Sequence, residues 1–85
     1  MKVRVLFFAG LREQLGAAAM DVELPAGAAT VGALRAHLRG RGGAYESALG
    51  EKKALRMALN QEMVQPSAPL KAGDEVAFFP PVTGG

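Results

Sequence analysis

The sequence predicts an α+β domain, a mixed sheet with one main helix packed across a face. Short segments near both ends of the chain alternate apolar and polar residues, as half-buried strands do. One longer segment between them carries an apolar stripe at helical spacing. A chain of 85 residues has room for one hydrophobic core and little else.

The first element is "KVRVLFFA", Lys2 to Ala9. Val3, Val5, Phe7 and Ala9 share one face, and Lys2, Arg4, Leu6 and Phe8 the other. The face with both charges points outward, which leaves Phe8, and partly Leu6, on the surface. "GLREQLG" follows, with Leu11 and Leu15 one turn apart between glycines, and suits one or two turns of helix. In "MDVEL", Met20, Val22 and Leu24 face inward along a second strand, which Pro25 and Gly27 end.

The principal helix is "TVGALRAHLRGRGG". Thr30 is its expected N-cap, and Val31, Leu34 and Leu38 form the inward stripe. Arg35, Arg39 and Arg41 lie off that stripe, and Gly40, Gly42 and Gly43 stop the helix. "AYESALG" reads as a further short turn. "LRMALN" is a strand with Leu55, Met57 and Leu59 inward and Arg56, Ala58 and Asn60 outward. "QEMVQ" is a brief edge strand. "AGDEV" turns into the last strand, "DEVAFF", with Val76 and Phe78 inward and Ala77 and Phe79 outward.

A hairpin, a helix and a last long strand fit a ubiquitin-like β-grasp most simply. A ferredoxin-like arrangement needs a second full helix after the third strand, for which the glycine-broken "AYESALGEKK" is too short. In a β-grasp the first and last strands are adjacent and parallel, so Phe8 and Phe79 would join in one outward apolar patch, with Met63 a candidate neighbour. Such a patch on a small domain marks a binding surface. Residues 1–79 are expected to form the folded domain and 80–85 a flexible tail.

Composition narrows the chemistry. The 10 Lys and Arg against 8 Asp and Glu give a net charge of only +2. The basic residues are scattered and not interleaved with aromatics, which argues against a nucleic-acid partner. Without cysteine the chain has no disulfide, thiolate metal site or cysteine nucleophile, and one histidine makes no multi-histidine metal site. No bound metal or cofactor is therefore expected. The longest apolar stretch, Val5 to Leu11, falls far short of the roughly 20 residues that span a bilayer. No signal-peptide pattern precedes it, so the expectation is a cytoplasmic protein without a membrane partner. The carboxylates form no acid–base pair, His37 reads as a surface residue, and no hydroxyl has a nearby base.

What remains is the tail, "PPVTGG". Pro80 and Pro81 favour an extended exit from the sheet. The four residues after them reach roughly 13–14 Å when extended. Val82 and Thr83 offer side chains a partner can grip, and Gly84 and Gly85 fit a narrow channel. Glycine is also the least hindered residue at which to activate a carboxylate. From the residues alone the tail reads equally as a frayed end or a presented one.

Those stretches carry a likeness. "VLFFAGLREQLG", "LRMALNQEMV", "LKAGDEVAFFPP" and the ending "FFPPVTGG" resemble the small subunits of molybdopterin synthase, the MoaD-like sulfur carriers, over essentially the whole chain. The "FFPPVTGG" ending is specific, whereas a terminal Gly-Gly alone is common to ubiquitin-like carriers. The resemblance implies a β-grasp fold and a sulfur-carrier role. An adenylating enzyme of the ubiquitin-activating type would use ATP to convert the Gly85 carboxylate to an acyl-adenylate, and sulfur would replace AMP to give a thiocarboxylate. The tail would then enter the large subunit, which holds cyclic pyranopterin monophosphate, in an assembly of two small and two large subunits. On this reading the chain is a sulfur donor with no active site of its own, and its catalytic group is the Gly85 carboxylate. The family's contact surface falls on Phe8, Met63 and Phe79, and Arg12 matches a further contact position, although surface charge alone explains it. The glycine-rich middle, "RGRGGAYESALGEKKA", departs from the family, so no contacts are carried over from the second half of the helix.

Three other readings stay open: a sister carrier for thiazole synthesis or tRNA thiolation, a protein modifier joined to lysine through Gly85, and a plain interaction domain with an inert tail. Carriers of the thiazole type are generally shorter and lack the "FFPP" run.

Overall fold

Strand β1 (Lys2–Phe7) buries Val3, Val5 and Phe7 and turns Lys2 and Arg4 to solvent, as its alternation requires. In the computed structural model, which describes residues 1–25, 27 and 29–81, β1 lies second in a five-stranded sheet. It pairs antiparallel with β2 (Ala19–Glu23), Val3 opposite Val22. On its other side it pairs parallel with β5 (Glu75–Phe79), Val5 opposite Val76 and Phe7 opposite Phe78. Strand β3 (Arg56–Leu59) runs antiparallel to β5 and to the short edge strand β4 (Glu62–Met63). The order β2-β1-β5-β3-β4, with first and last strands parallel and adjacent, is the β-grasp arrangement.

Helix α2 (Val31–Arg39) covers one face of the sheet. Its N-cap is Thr30, whose Oγ1 accepts a hydrogen bond from the Ala33 N–H at 3.1 Å, and Val31, Leu34 and Leu38 are buried. Two short helices, α1 (Gly10–Leu15) and α3 (Ala44–Ala48), pack against each other, and α3 also packs against α2. The core between helices and sheet holds Phe7 and Phe78, whose rings stack with centroids 6.3 Å apart. His37 is exposed, as expected.

Several details depart from the alternation: Ala58, expected outward, is buried beneath its neighbours on the outer face, and Met20 and Leu55, expected inward, are only half-buried. Ala9, expected on the core face, is exposed, because β1 ends at Phe7 and Ala9 takes a φ of 55° to turn the chain into α1. Leu59, expected inward, is only half-buried, since it stands next to the sheet edge opposite Glu62.

Two clasps fix the ends of the strands that carry the outer face. Asn60 and Gln61 both have positive φ (49° and 72°) and make the two-residue turn joining β3 to β4. The Asn60 amide donates to the Asp74 carboxylate at 3.1 Å, and its Oδ1 accepts from the Glu75 N–H at 3.0 Å. Asp74 also accepts from the Lys71 N–H at 2.7 Å. The second clasp is Arg35, whose guanidinium donates to the carbonyls of Leu49, Gly50 and Lys53 and so ties the segment entering β3 to α2.

Candidate functional site

The sheet face opposite α2 is apolar where it ought to be polar. Side chains directly across a sheet share a face. Leu6 pairs with Ala77, Ala77 with Ala58, and Ala58 with Met63, so these four form one row across the outer surface. Arg56 pairs with Phe79 in the next row, towards the end of β5 from which the tail departs.

Phe8 and Phe79 complete the face. Phe8 is 46% exposed and Phe79 half-buried. Their rings meet edge to face with centroids 6.5 Å apart, a geometry in which the positive edge of one ring approaches the negative face of the other. Beneath them is an open hollow of about 480 Å³, bounded by Leu6, Phe8, Ala58, Ala77, Phe79 and Pro80. Glu75 and Gln61 stand on its rim. The hollow can take an apolar side chain of a partner. Among the described residues it contains no nucleophile with a base beside it.

The structure thus brings Phe8 and Phe79 together. Met63, 54% exposed, lies on the same face, but it lines the neighbouring groove across β3 and not the aromatic hollow. Arg12 is exposed on α1 and does not line the hollow. Pro80 and Pro81 are half-buried and lead away from Phe79. Val82, Thr83, Gly84 and Gly85 lie outside the described residues. Leu6, Ala58 and Ala77 were not singled out as site residues by the sequence, although the alternation that turned Phe8 and Phe79 outward places them on the same face.

Electrostatics supports the frame, not a reaction. Hydrogen bonds from Asn60 and then from the Lys71 N–H hold the Asp74 carboxyl below its ordinary pKa. Burial, helped by the nearby Arg39 charge, lowers that of Arg35, which keeps its proton throughout the physiological range. Among the described residues there is no group of three or more His, Cys, Asp or Glu placed to hold a metal ion, and no helix long and apolar enough to cross a membrane.

Comparison with known proteins gives concordant likenesses. The model of the ThiS family matches residues 5–85. The molybdopterin synthase sulfur carrier subunit of Escherichia coli (strain K12) is 48% identical over 83 residues, which cover 98% of this chain and 99% of that one. Among solved structures, the complex of subunits 1 and 2 of molybdopterin-converting factor from Helicobacter pylori 26695 contains a chain matched with a TM-score of 0.68 and 29% identity, all of both chains being covered. The small archaeal modifier protein 1 of H. volcanii is matched with a TM-score of 0.76 at 29% identity over 95% of this chain and 98% of that one.

Proposed function

The chain belongs to the ThiS family, and from that premise we propose that it is the sulfur-carrier subunit of a molybdopterin synthase. The observation that carries the reading is its 48% identity, over nearly the full length of both chains, with the E. coli carrier. The apolar hollow supports it from the geometry. Strand β5 carries Phe79 at the hollow and continues directly into Pro80 and Pro81, so a partner seated on the hollow receives the tail.

On this reading residues 1–79 are a handle and residues 80–85 the working part. The Gly85 carboxylate is a poor electrophile. An adenylating partner with ATP forms the acyl-adenylate, releasing pyrophosphate, and a sulfur nucleophile then attacks the acyl carbon and expels AMP. The resulting thiocarboxylate carries sulfur without any cysteine, which accords with a chain that has none. Within the large subunit it would deliver that sulfur to cyclic pyranopterin monophosphate, two deliveries making one dithiolene. The chain itself would bind no cofactor and would work in the cytoplasm, in an assembly of two small and two large subunits.

On this reading each site residue has its own part. Phe8 and Phe79 are the anchors, Met63 extends the contact across β3, and Arg12 contributes charge from α1. Pro80 and Pro81 aim the tail, Val82 and Thr83 are gripped, and Gly84 lets Gly85 pass to the reacting centre. The complex of the H. pylori subunits supports a large subunit as the partner.

A second reading has its own support in the likeness to the H. volcanii modifier protein: joining of Gly85 to lysines of other proteins. Intact-mass measurement on the chain from its native cells separates the two. A species with one oxygen replaced by sulfur is expected for the carrier, whereas ladders of conjugates without that species would favour the modifier.

A further inference from the structure

Beside the aromatic hollow, on the other flank of β3, lies a second groove of about 390 Å³ between residues 53–57 and 63–66. Arg35, Lys53 and Arg56 line it together with Leu55, Met63 and Gln65, and no Asp or Glu is among its lining residues. Lys53 and Arg56 are exposed and make no ion pair among the described residues. The nearest acidic residue in sequence, Glu51, is paired with Arg39 at 3.4 Å. The walls are held in place: the Lys53 carbonyl accepts from Arg35 at 2.9 Å, and the Val64 N–H donates to the Met57 carbonyl at 3.1 Å.

Register makes this groove continuous with the hollow. Arg56 is the cross-strand partner of Phe79, and Met63 that of Ala58, which lines the hollow. Adjacent strands are about 4.8 Å apart, so a partner that buries Phe79 also covers Arg56. Covering an unpaired guanidinium costs its hydration unless a carboxylate replaces the lost water. A planar guanidinium is also well suited to a two-pronged bond with a carboxylate.

We propose that the groove lined by Lys53, Arg56 and Met63 takes an acidic segment of the large subunit, one whose carboxylate pairs with Arg56 while an apolar neighbour packs on Met63. This rests on the carrier reading above, and adds to it the charge of the partner surface and the place where it docks. A protein segment fits better than a nucleic acid, because the lining has no aromatic ring for a base to stack on and an exposed methionine in its place.

The test is binding of the full-length chain to the large subunit from the same cells, measured from about 50 mM to about 500 mM salt. The double variant Lys53→Glu with Arg56→Glu is expected to bind roughly 10–100-fold more weakly at low salt, through slower association and faster dissociation, with the gap narrowing as salt rises. Lysine substitutions of Asp and Glu in the large subunit, screened against the double variant, should include one that restores its binding. Both substituted side chains are exposed, and an unchanged melting temperature verifies the fold. If the double variant binds as the parent does at every salt while Phe79→Asp does not bind, the groove proposal is overturned and the carrier reading stands. If the parent chain itself fails to bind the large subunit, both fall. If the double variant instead loses affinity for an RNA oligonucleotide and keeps it for the large subunit, the groove is a nucleic-acid site and the proposal is overturned.

Discussion

Phe8 and Phe79 touch edge to face, at 6.5 Å between ring centroids and 78° between ring planes, although they stand at opposite ends of the chain. The parallel pairing of β1 with β5 makes the contact, and it puts the two rings beside Pro80 on one hollow. Phe79→Asp is expected to weaken binding to the large subunit by about 2 kcal/mol or more, the scale of a buried aromatic anchor. Calorimetric titration checks it. Far-UV circular dichroism should be unchanged, because the ring lies on the outer face; an unfolded variant would instead assign Phe79 to the core.

The tail makes a stricter demand. Deleting Gly85, or adding one residue after it, is expected to abolish sulfur transfer while leaving the melting temperature within experimental error. One residue spans roughly 3.3–3.6 Å, enough to take the carboxylate away from a reacting centre. Mass spectrometry for the thiocarboxylate and assay of molybdopterin formation read the outcome. Transfer by the shortened chain would disprove the carrier reading.

Asp74 links stability to pH. Its folded pKa is lowered from 3.8, first by the Asn60 hydrogen bond and next by the Lys71 N–H, so its ionised form is the one the fold prefers. The sign follows: this contribution is fully present above pH of about 4 and is lost as pH falls through the lowered folded value. Asp74→Ala is expected to cost about 1–3 kcal/mol at neutral pH. It should also remove part of the acid dependence, which urea melts at pH 7 and in the acid range would reveal.

Arg35 was expected only to lie off the apolar stripe of α2, yet it bonds three carbonyls of the segment that leads into β3. Arg35→Ala is expected to destabilise the chain by about 1–3 kcal/mol and to speed amide exchange in residues 49–53. Arg35→Lys should rescue little, since one ammonium cannot span the carbonyls a guanidinium fork reaches. Hydrogen exchange followed by mass spectrometry distinguishes this local loosening from general unfolding.

Much of the fold was legible because strand faces are a local property. Val3, Val5, Phe7, Val22, Val76 and Phe78 are buried as their alternation required, and Val31, Leu34 and Leu38 as their helical spacing required. Ala9 broke the pattern because a single backbone angle ended the strand early. Leu49, fully buried, was missed because α3 is too short to display a period.

By itself the sequence determined the order of elements and the side of the sheet that each strand residue takes. Those features depend on neighbours along the chain and on the chemistry of single residues. Only the tertiary structure decided that the Phe8 and Phe79 rings meet edge to face, that Met63 opens onto a different groove, that Arg35 and Asp74 are clasps, and that Lys53 and Arg56, without an ion pair among the described residues, stand beside Phe79. Each of these depends on residues distant in sequence being brought within a few ångströms. That is set by strand pairing and by side-chain bonds to backbone, which no local period records.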